Sequence, residues 1–283
     1  MASTRARTKH WASRVAIGAA VGLGTLSGLG WLGLQVEPAP FSPYPERTPH
    51  LDTVALPADL PAPVARYFRA AAGERVPRIQ SAVLTGRGRL RFSGLSLPAR
   101  LRFIHTAGRD YRHYIECTWF GYPLLRVNEW YLDGHARLEL PFGTVTDEPK
   151  VDQGANLALW GEEAFWLPSV LFTDPRVRWE AIDSTRARLV VPAGSTEEEF
   201  TVTFDEGTGL LQRLEALRYR SATDTAKIPW RIEPLGWQTF NGMRLPSPVA
   251  LTWQDEGTPW LVVTLEEVVY NAGVSQSIRS SGL

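Results

Sequence analysis

Residues 156–175, NLALWGEEAFWLPSVLFTDP, are the long segment after residue 75 whose apolar side chains recur at helical rather than strand spacing. One helical face carries the residues at positions i, i+3, i+7 and i+10, which are Leu157, Trp160, Ala164 and Leu167. Phe165 widens this apolar stripe, and Pro168 cannot continue the helix beyond its first turn. The stretch therefore predicts a helix over 154–167 that plugs a sheet.

The rest of the folded region has the two-residue alternation of strands. Predicted strands cover 83–92, 99–106, 111–118, 124–132, 135–140, 177–182, 186–191, 199–205, 210–220, 230–240, 249–254 and 260–270. A short helix over 59–73 precedes them, and Asp133-Gly134 and Asn241-Gly242 are strong turn signals between strands. Short connections favour antiparallel pairing, so we predict a mainly β (α+β) fold with one strongly curved antiparallel sheet, or half-barrel, of about 11–12 strands.

The first 36 residues differ in composition from the rest. Four basic residues and no acid precede residue 37, whereas residues 37–283 hold 26 bases against 30 acids. Residues 15–36 carry no charge, and a helix of that length, about 33 Å, can cross a bilayer core of about 30 Å. We therefore predict a cytoplasmic basic tail at 1–14, a transmembrane signal-anchor at 15–36 and a folded domain on the outer side of the cytoplasmic membrane. A cleaved signal peptide is the alternative.

Three further predictions concern the ends of the domain. A face of small residues in the span would allow a homodimer contact, although signal segments are also rich in Gly and Ala; this face comprises Gly18, Ala20, Gly22, Gly24 and Gly28. The proline-rich segment 37–57 predicts an extended linker that holds the domain, 58–272, away from the membrane. Residues 273–283 are predicted to form a flexible tail.

Two sets of short motifs resemble a known family. The first is Glu163-x-x-Trp166-x-Pro168-x-x-Leu171 followed by Val177-x-Trp179-x-x-Ile182-Asp183. The second comprises Phe204-Asp205, Arg218-Tyr219-Arg220 and the run from Asn241 to Pro246. From Leu56 to Tyr270 the chain resembles a bacterial family described as a domain of unknown function, which is similar in fold to periplasmic lipoprotein carriers. The resemblance implies a curved antiparallel sheet, plugged by helices, that holds acyl chains.

Several function classes lack support in the sequence. The acidic balance of residues 37–283 is not that of a nucleic-acid-binding domain. Cys117 is the only cysteine, which excludes an intrachain disulfide and a thiolate zinc site. Phosphate loops, dinucleotide fingerprints and Gly-x-Ser-x-Gly motifs are missing from the sequence, so we expect no cofactor.

A few residues are candidates for catalysis or metal binding. Glu163 lies near the apolar stripe, where burial would raise its pKa as an acid catalyst requires, but a structural carboxylate is the more common role. His105 and His113 flank a hairpin turn, and the two histidines with Glu116 or His135 offer ligands that could bind a metal. The spacing matches no metal motif, so we expect no metal.

Alternating arginines mark one face of the first two predicted strands. This set, called here the arginine face, consists of Arg87, Arg89, Arg91, Arg100 and Arg102. Such a face would attract lipid phosphates or an acidic partner, unless it is simply a charged outer face that keeps the sheet soluble.

Together these features favour a non-enzymatic, membrane-anchored extracytoplasmic domain of the cell envelope that binds an apolar or lipid ligand between sheet and helix. The expected ligand-binding residues are Trp160, Glu163, Phe165, Trp166, Leu167 and Trp179. The alternatives are an interaction or sensor module, which a filled core would favour, and a hydrolase of envelope polymers that uses an acid such as Glu163.

Overall fold

The computed structural model describes residues 28–283. The predicted tail at 1–14, most of the predicted span at 15–36 and most of its small-residue face lie outside these residues. Residues 28–33 are helical. Within the described part of the chain, no helix is both long enough and apolar enough to cross a membrane.

After residue 50 the chain forms mostly strands. The helices are α1 (Ala62–Ala72), α2 (Pro149–Trp166), α3 (Val170–Thr173) and a 3₁₀-helix (Ser277–Arg279). The strands are β1 (Thr53–Ala55), β2 (Arg75–Pro77), β3 (Ser81–Phe92), β4 (Leu95–Thr106), β5 (Asp110–Trp119), β6 (Tyr122–Leu132), β7 (His135–Leu140), β8 (Gly143–Thr146), β9 (Arg178–Ala181), β10 (Arg186–Ala193), β11 (Thr196–Phe204), β12 (Leu211–Arg218), β13 (Ile228–Pro234), β14 (Trp237–Phe240), β15 (Met243–Pro246), β16 (Val249–Trp253) and β17 (Pro259–Tyr270).

Thirteen of these strands form one antiparallel sheet in the order β8-β7-β6-β5-β4-β3-β17-β16-β13-β12-β11-β10-β9. Pairs β1-β2 and β14-β15 stand apart from it. The predicted mainly antiparallel β fold is confirmed. The predicted strand 230–240 is in fact two strands, because the chain leaves the main sheet after β13 and pairs β14 with β15 instead.

Contacts between distant strands show that the sheet is strongly curved. Phe92 ends β3, and Phe142 lies in the turn between β7 and β8. In a flat sheet, β3 and β7 would be four strand spacings apart, each of about 4.8 Å. The ring centroids of Phe92 and Phe142 are nevertheless 6.2 Å apart. The strands from β3 to β8 therefore roll into a half-barrel, whose concave face carries the main core.

Helix α2 lies inside this curve. It begins at Pro149, five residues before the predicted start, because proline suits the first turn, and it ends at Trp166 before Pro168. From Gly154 to Trp166 every residue is buried, so the helix is covered on all sides. Gly161 lets it approach β13 closely, since a Cβ there would lie 2.8 Å from Ile232 Cδ1.

Both flanking segments differ from expectation. Residues 37–57, expected to be a detached linker, lie against the domain: Phe41 is buried, and Thr53–Ala55 forms strand β1. The expected flexible tail is also packed, because Ile278 is buried on the outer face of the sheet and Arg112 Nη1 donates to Ser277 O. Apolar side chains on the convex face explain both contacts, since they attract any nearby segment that can cover them.

Candidate functional site

Most of the predicted ligand-binding residues belong to the filled core rather than to a cavity wall. Trp160, Phe165, Trp166 and Leu167 are each at most 1% exposed. The Trp166 indole donates to Pro246 O at 3.1 Å. Trp179 is half-buried, donates to Leu171 O at 3.0 Å and packs edge-on against Phe68. Helix α2 thus supplies core side chains, and a ligand would have to displace them.

Polar side chains meet inside this core, where α2 faces β4 and β5. Glu162 Oε2 lies 2.8 Å from His113 Nε2 and 3.0 Å from His105 Nε2. The contact with His113 is a directed hydrogen bond. The contact with His105 is not, because its geometry is poor and neither ring nitrogen of His105 has a hydrogen-bond partner. We call these three residues the His-Glu-His cluster.

A second layer of groups holds His113 in place. Its ring stacks on Tyr111, with centroids 4.1 Å apart, and lies 4.0 Å from the Phe103 centroid. Its Nδ1 is 3.8 Å from Glu129 Oε2, and Glu129 Oε1 accepts a hydrogen bond from the Tyr111 hydroxyl. The imidazole is therefore confined between two carboxylates and two aromatic rings.

Burial and charge set the protonation of the cluster. Burial alone would lower the pKa of His113, but Glu162 and Glu129 outweigh it and raise the pKa to about 9. Burial alone would raise the pKa of Glu162, but the two histidines outweigh it and lower the pKa to about 2. The pKa of His105 is lowered, mainly by burial. At neutral pH the cluster is thus a buried ion pair, Glu162 with His113, beside a neutral His105.

Glu163 is protonated, whereas its neighbour Glu162 is ionised. Both of its carboxyl oxygens accept the Gly108 N–H, at 2.8 and 3.1 Å. Burial raises the pKa of Glu163 well above its ordinary value, and the charges of Asp174 and Glu162 add to the effect. Glu163 is 0% exposed, so it ties α2 to the β4–β5 turn and is not offered to a substrate.

The His-Glu-His cluster is also the one group among the described residues with the spacing of a metal site. Its ligand atoms all lie within 4.8 Å of one another, and two imidazoles with one carboxylate are a set that zinc accepts. The β4–β5 hairpin brings His105 and His113 together as the sequence indicated, and the third group beside them is Glu162 rather than Glu116 or His135. Glu116 pairs with Arg100 on the outer face at 2.7 Å, and His135 is 77% exposed.

The arginine face exists, but other parts of the chain occupy it. Residues 34–48, which we call the strap, run along it. Arg87 pairs with Glu266 and Glu37, while Arg89 and Arg102 donate to backbone oxygens of the strap. Arg91 pairs with Glu256, and the Arg100 guanidinium lies 4.5 Å over the Phe41 ring.

Helix α2 is hydrogen-bonded to one end of the concave face. The hydrogen bonds that join α2 to strands β4–β7 all reach one end, where the turns of β4–β5 and β6–β7 lie; their partners are Gly108, His113, Tyr131 and Ala136. The hairpins β3–β4, β5–β6 and β7–β8 turn at the other end, which we call the open end. There the apolar lining is half-buried at Leu90, Leu125, Val127 and Leu138, whereas their cross-strand neighbours Leu97, Cys117 and Ile115 are buried.

Comparisons with solved structures show distant likenesses. A DUF1329 family protein from Desulfovibrio piger is 12% identical, with 72% of this chain and 90% of that chain covered and a TM-score of 0.43. A protein from Vibrio parahaemolyticus, described as an outer membrane lipoprotein-sorting protein domain, is 10% identical, with 76% and 92% covered and a TM-score of 0.43. A LolA superfamily protein from Nitrosomonas europaea is 8% identical, with 78% and 97% covered and a TM-score of 0.47.

A search of curated proteins finds no match. A family model described as "Family of unknown function (DUF6544)" matches residues 50–264, most of the folded region and close to the limits that the sequence motifs implied. The chain belongs to the DUF6544 family.

Proposed function

We propose that this domain holds an apolar ligand, such as an acyl chain, on the concave face at the open end. It acts outside the cytoplasm, anchored by residues 15–36, and it performs no chemistry on the ligand. The observation that carries the proposal is the half-buried aliphatic lining of this end, formed by Leu90, Leu125, Val127 and Leu138. Half-buried aliphatic side chains gain free energy when a ligand removes their exposed part from water.

The position of the site differs from the one expected from sequence. Helix α2 and its tryptophans fill the concave face near the β4–β5 turn, so the free apolar surface is displaced toward the hairpins. Glu163 is buried in the filled part and lies outside the proposed site.

One observation favours an interaction or sensor module instead. The core around Trp166 is filled, and a module that docks a partner needs no cavity. The arginine face would be the docking surface in that case, but its side chains already have partners in the strap and in neighbouring strands. We therefore keep the apolar ligand as the leading proposal.

The test uses the detergent-extracted full chain and an apolar naphthylamine fluorophore. Leu125→Trp places a large ring on the half-buried lining, so we expect at least about tenfold weaker probe binding, or about 1.4 kcal/mol. Leu217→Trp is the matched control, because Leu217 is 56% exposed on the other face of β12. Native mass spectrometry of the same samples should show lipid lost from the Leu125 variant alone. A parent that binds neither probe nor lipid would contradict the proposal and favour the interaction module.

A further inference from the structure

Exposed apolar side chains gather at one place on this molecule. Among residues 28–283, seven of the fifteen exposed large hydrophobic residues lie on the three hairpins of the open end, including Phe92, Leu95, Trp119, Tyr122, Leu124 and Phe142. Tyr122 and Phe142 are 77% and 81% exposed. We call these six residues the apolar rim. A soluble surface rarely carries so many large apolar side chains together, which marks the rim as a contact surface.

The three hairpin tips are also free of charge. Residues 92–97, 117–125 and 140–146 contain no Lys, Arg, Asp or Glu. The turns at the opposite end of the same strands do carry charge, as Arg109 and Asp133 show. The two ends of the half-barrel therefore differ in polarity: the turns at the open end carry no charged side chains, whereas the turns at the opposite end do.

A second, independent observation shows what lies next to the rim. The chain reaches the domain at the β5–β6 tip, where the Trp119 indole donates to Gly30 O at 3.1 Å and the Phe120 N–H donates to Gly33 O at 2.8 Å. The indole packs directly on Gly33, since a Cβ there would lie 2.1 Å from Trp119 Nε1. Residues 28–34 lie near the C-terminal end of the uncharged segment 15–36. The segment predicted to cross the membrane thus ends against the rim.

We propose that the apolar rim inserts into the interfacial layer of the bilayer that residues 15–36 cross. A span that ends beside Trp119 brings the three tips to the lipid surface, and Trp, Tyr and Phe are the side chains that favour the boundary between lipid and water. The open end of the half-barrel then faces the bilayer, so an acyl chain could pass between membrane and concave face without crossing water. The rim contact itself does not depend on the proposed ligand.

The test measures the depth of fluorescent labels on the full chain in lipid nanodiscs. Leu124→Cys and Phe142→Cys, each in a Cys117→Ala background, receive an environment-sensitive label. Ile182→Cys and Leu217→Cys are the controls, because both positions are exposed away from the rim. We expect nitroxide-bearing lipids to quench the two rim labels at least about threefold more than the controls, with aqueous iodide showing the reverse order.

Two outcomes would overturn the proposal. Rim labels that iodide quenches as strongly as the controls would show that the rim stays in water. Rim labels shielded from iodide but not quenched by lipid nitroxides would show that a protein surface, such as a second copy, covers them. Apolar-probe binding measured on the same samples separates the two proposals, since a protein that binds no probe but has lipid-quenched rim labels supports the rim alone.

Discussion

At the scale of single residues, two adjacent glutamates in α2 have opposite roles. Residues next to each other on a helix point about 100° apart, so Glu162 faces the two histidines whereas Glu163 faces the Gly108 N–H. Glu162 is ionised because two imidazoles surround it, and Glu163 is protonated because it is buried without a cation in direct contact. Their environments, rather than their positions in sequence, separate their pKa values.

Glu163→Gln tests this assignment. The amide keeps the shape of the protonated acid and an acceptor for Gly108, but it cannot ionise. Burial raises the pKa of Glu163 in the folded protein above its ordinary value of 4.5. The protonated side chain therefore contributes its full stabilisation below pH 4.5, and this stabilisation is lost as the pH rises toward the raised pKa. The variant should therefore gain stability relative to the parent as the pH rises above 4.5, by up to about 1.4 kcal/mol per pH unit in urea unfolding.

The control for this experiment is Glu206→Gln, because Glu206 is exposed in the turn after β11. It measures what a Glu→Gln change outside the core does to the free energy of unfolding. If Glu163→Gln runs parallel to the parent, Glu163 is ionised in the folded protein and its assignment as a buried acid is wrong.

At the scale of elements, the strap changes the meaning of the arginine face. The Phe41 ring lies under the Arg100 guanidinium, and Tyr44 N donates to Glu267 at 2.9 Å. Glu46 accepts the Gly273 N–H at 2.9 Å, which links the strap to the C-terminal segment. Both segments thereby cover the convex face, while the concave face holds α2.

Phe41→Ala should release the strap. The ring is 6% exposed and packs on Tyr114 as well as on Arg100, with the Tyr114 centroid 5.8 Å away. We expect a loss of about 2–3 kcal/mol in the free energy of unfolding, below the 3–5 typical of core phenylalanines because the strap is a surface segment. Trypsin should also cleave faster after Arg47. Leu217→Ala, at an exposed site, is the control, and a Phe41 variant as stable and as protease-resistant as the parent would show that the strap is a free linker.

At the scale of the whole molecule, the predicted orientation rests on the charges at the N-terminus. The basic residues before residue 15 favour a cytoplasmic N-terminus, and residues 28–34 lead the chain directly to the open end. An extracytoplasmic location remains a prediction, and it determines which leaflet the apolar rim would meet.

A topology reporter fused after Leu283 tests this orientation. We expect it to be active only outside the cytoplasm, because the four basic residues at the N-terminus hold that end inside. Changing these residues, Arg5, Arg7, Lys9 and Arg14, to Glu should reduce the outside signal several-fold. A fusion of the unaltered chain that is active in the cytoplasm would contradict the envelope location and the outer-leaflet form of the rim contact.

The sequence by itself determined the features that depend on local periodicity. The helical spacing around Trp160 located α2, and the two-residue alternation located most strands, because both patterns follow from backbone geometry within a few residues. The motifs around Glu163 also led to the correct family. The start of α2 and the division between β13 and β14 were missed, since turns and tertiary pairing set them.

Only the tertiary structure decided which residues meet across the curve. Glu162 reaches His113 over a separation of 49 residues, and no spacing in the sequence could select it over Glu116. The strap and the apolar rim depend on the same curvature, because rolling the sheet brings Phe92 next to Phe142 and leaves a convex face to be covered. Such contacts are non-local. The turn residues of each hairpin can be recognised in the sequence, but the contact between hairpin tips at one end depends on how strongly the sheet is curved.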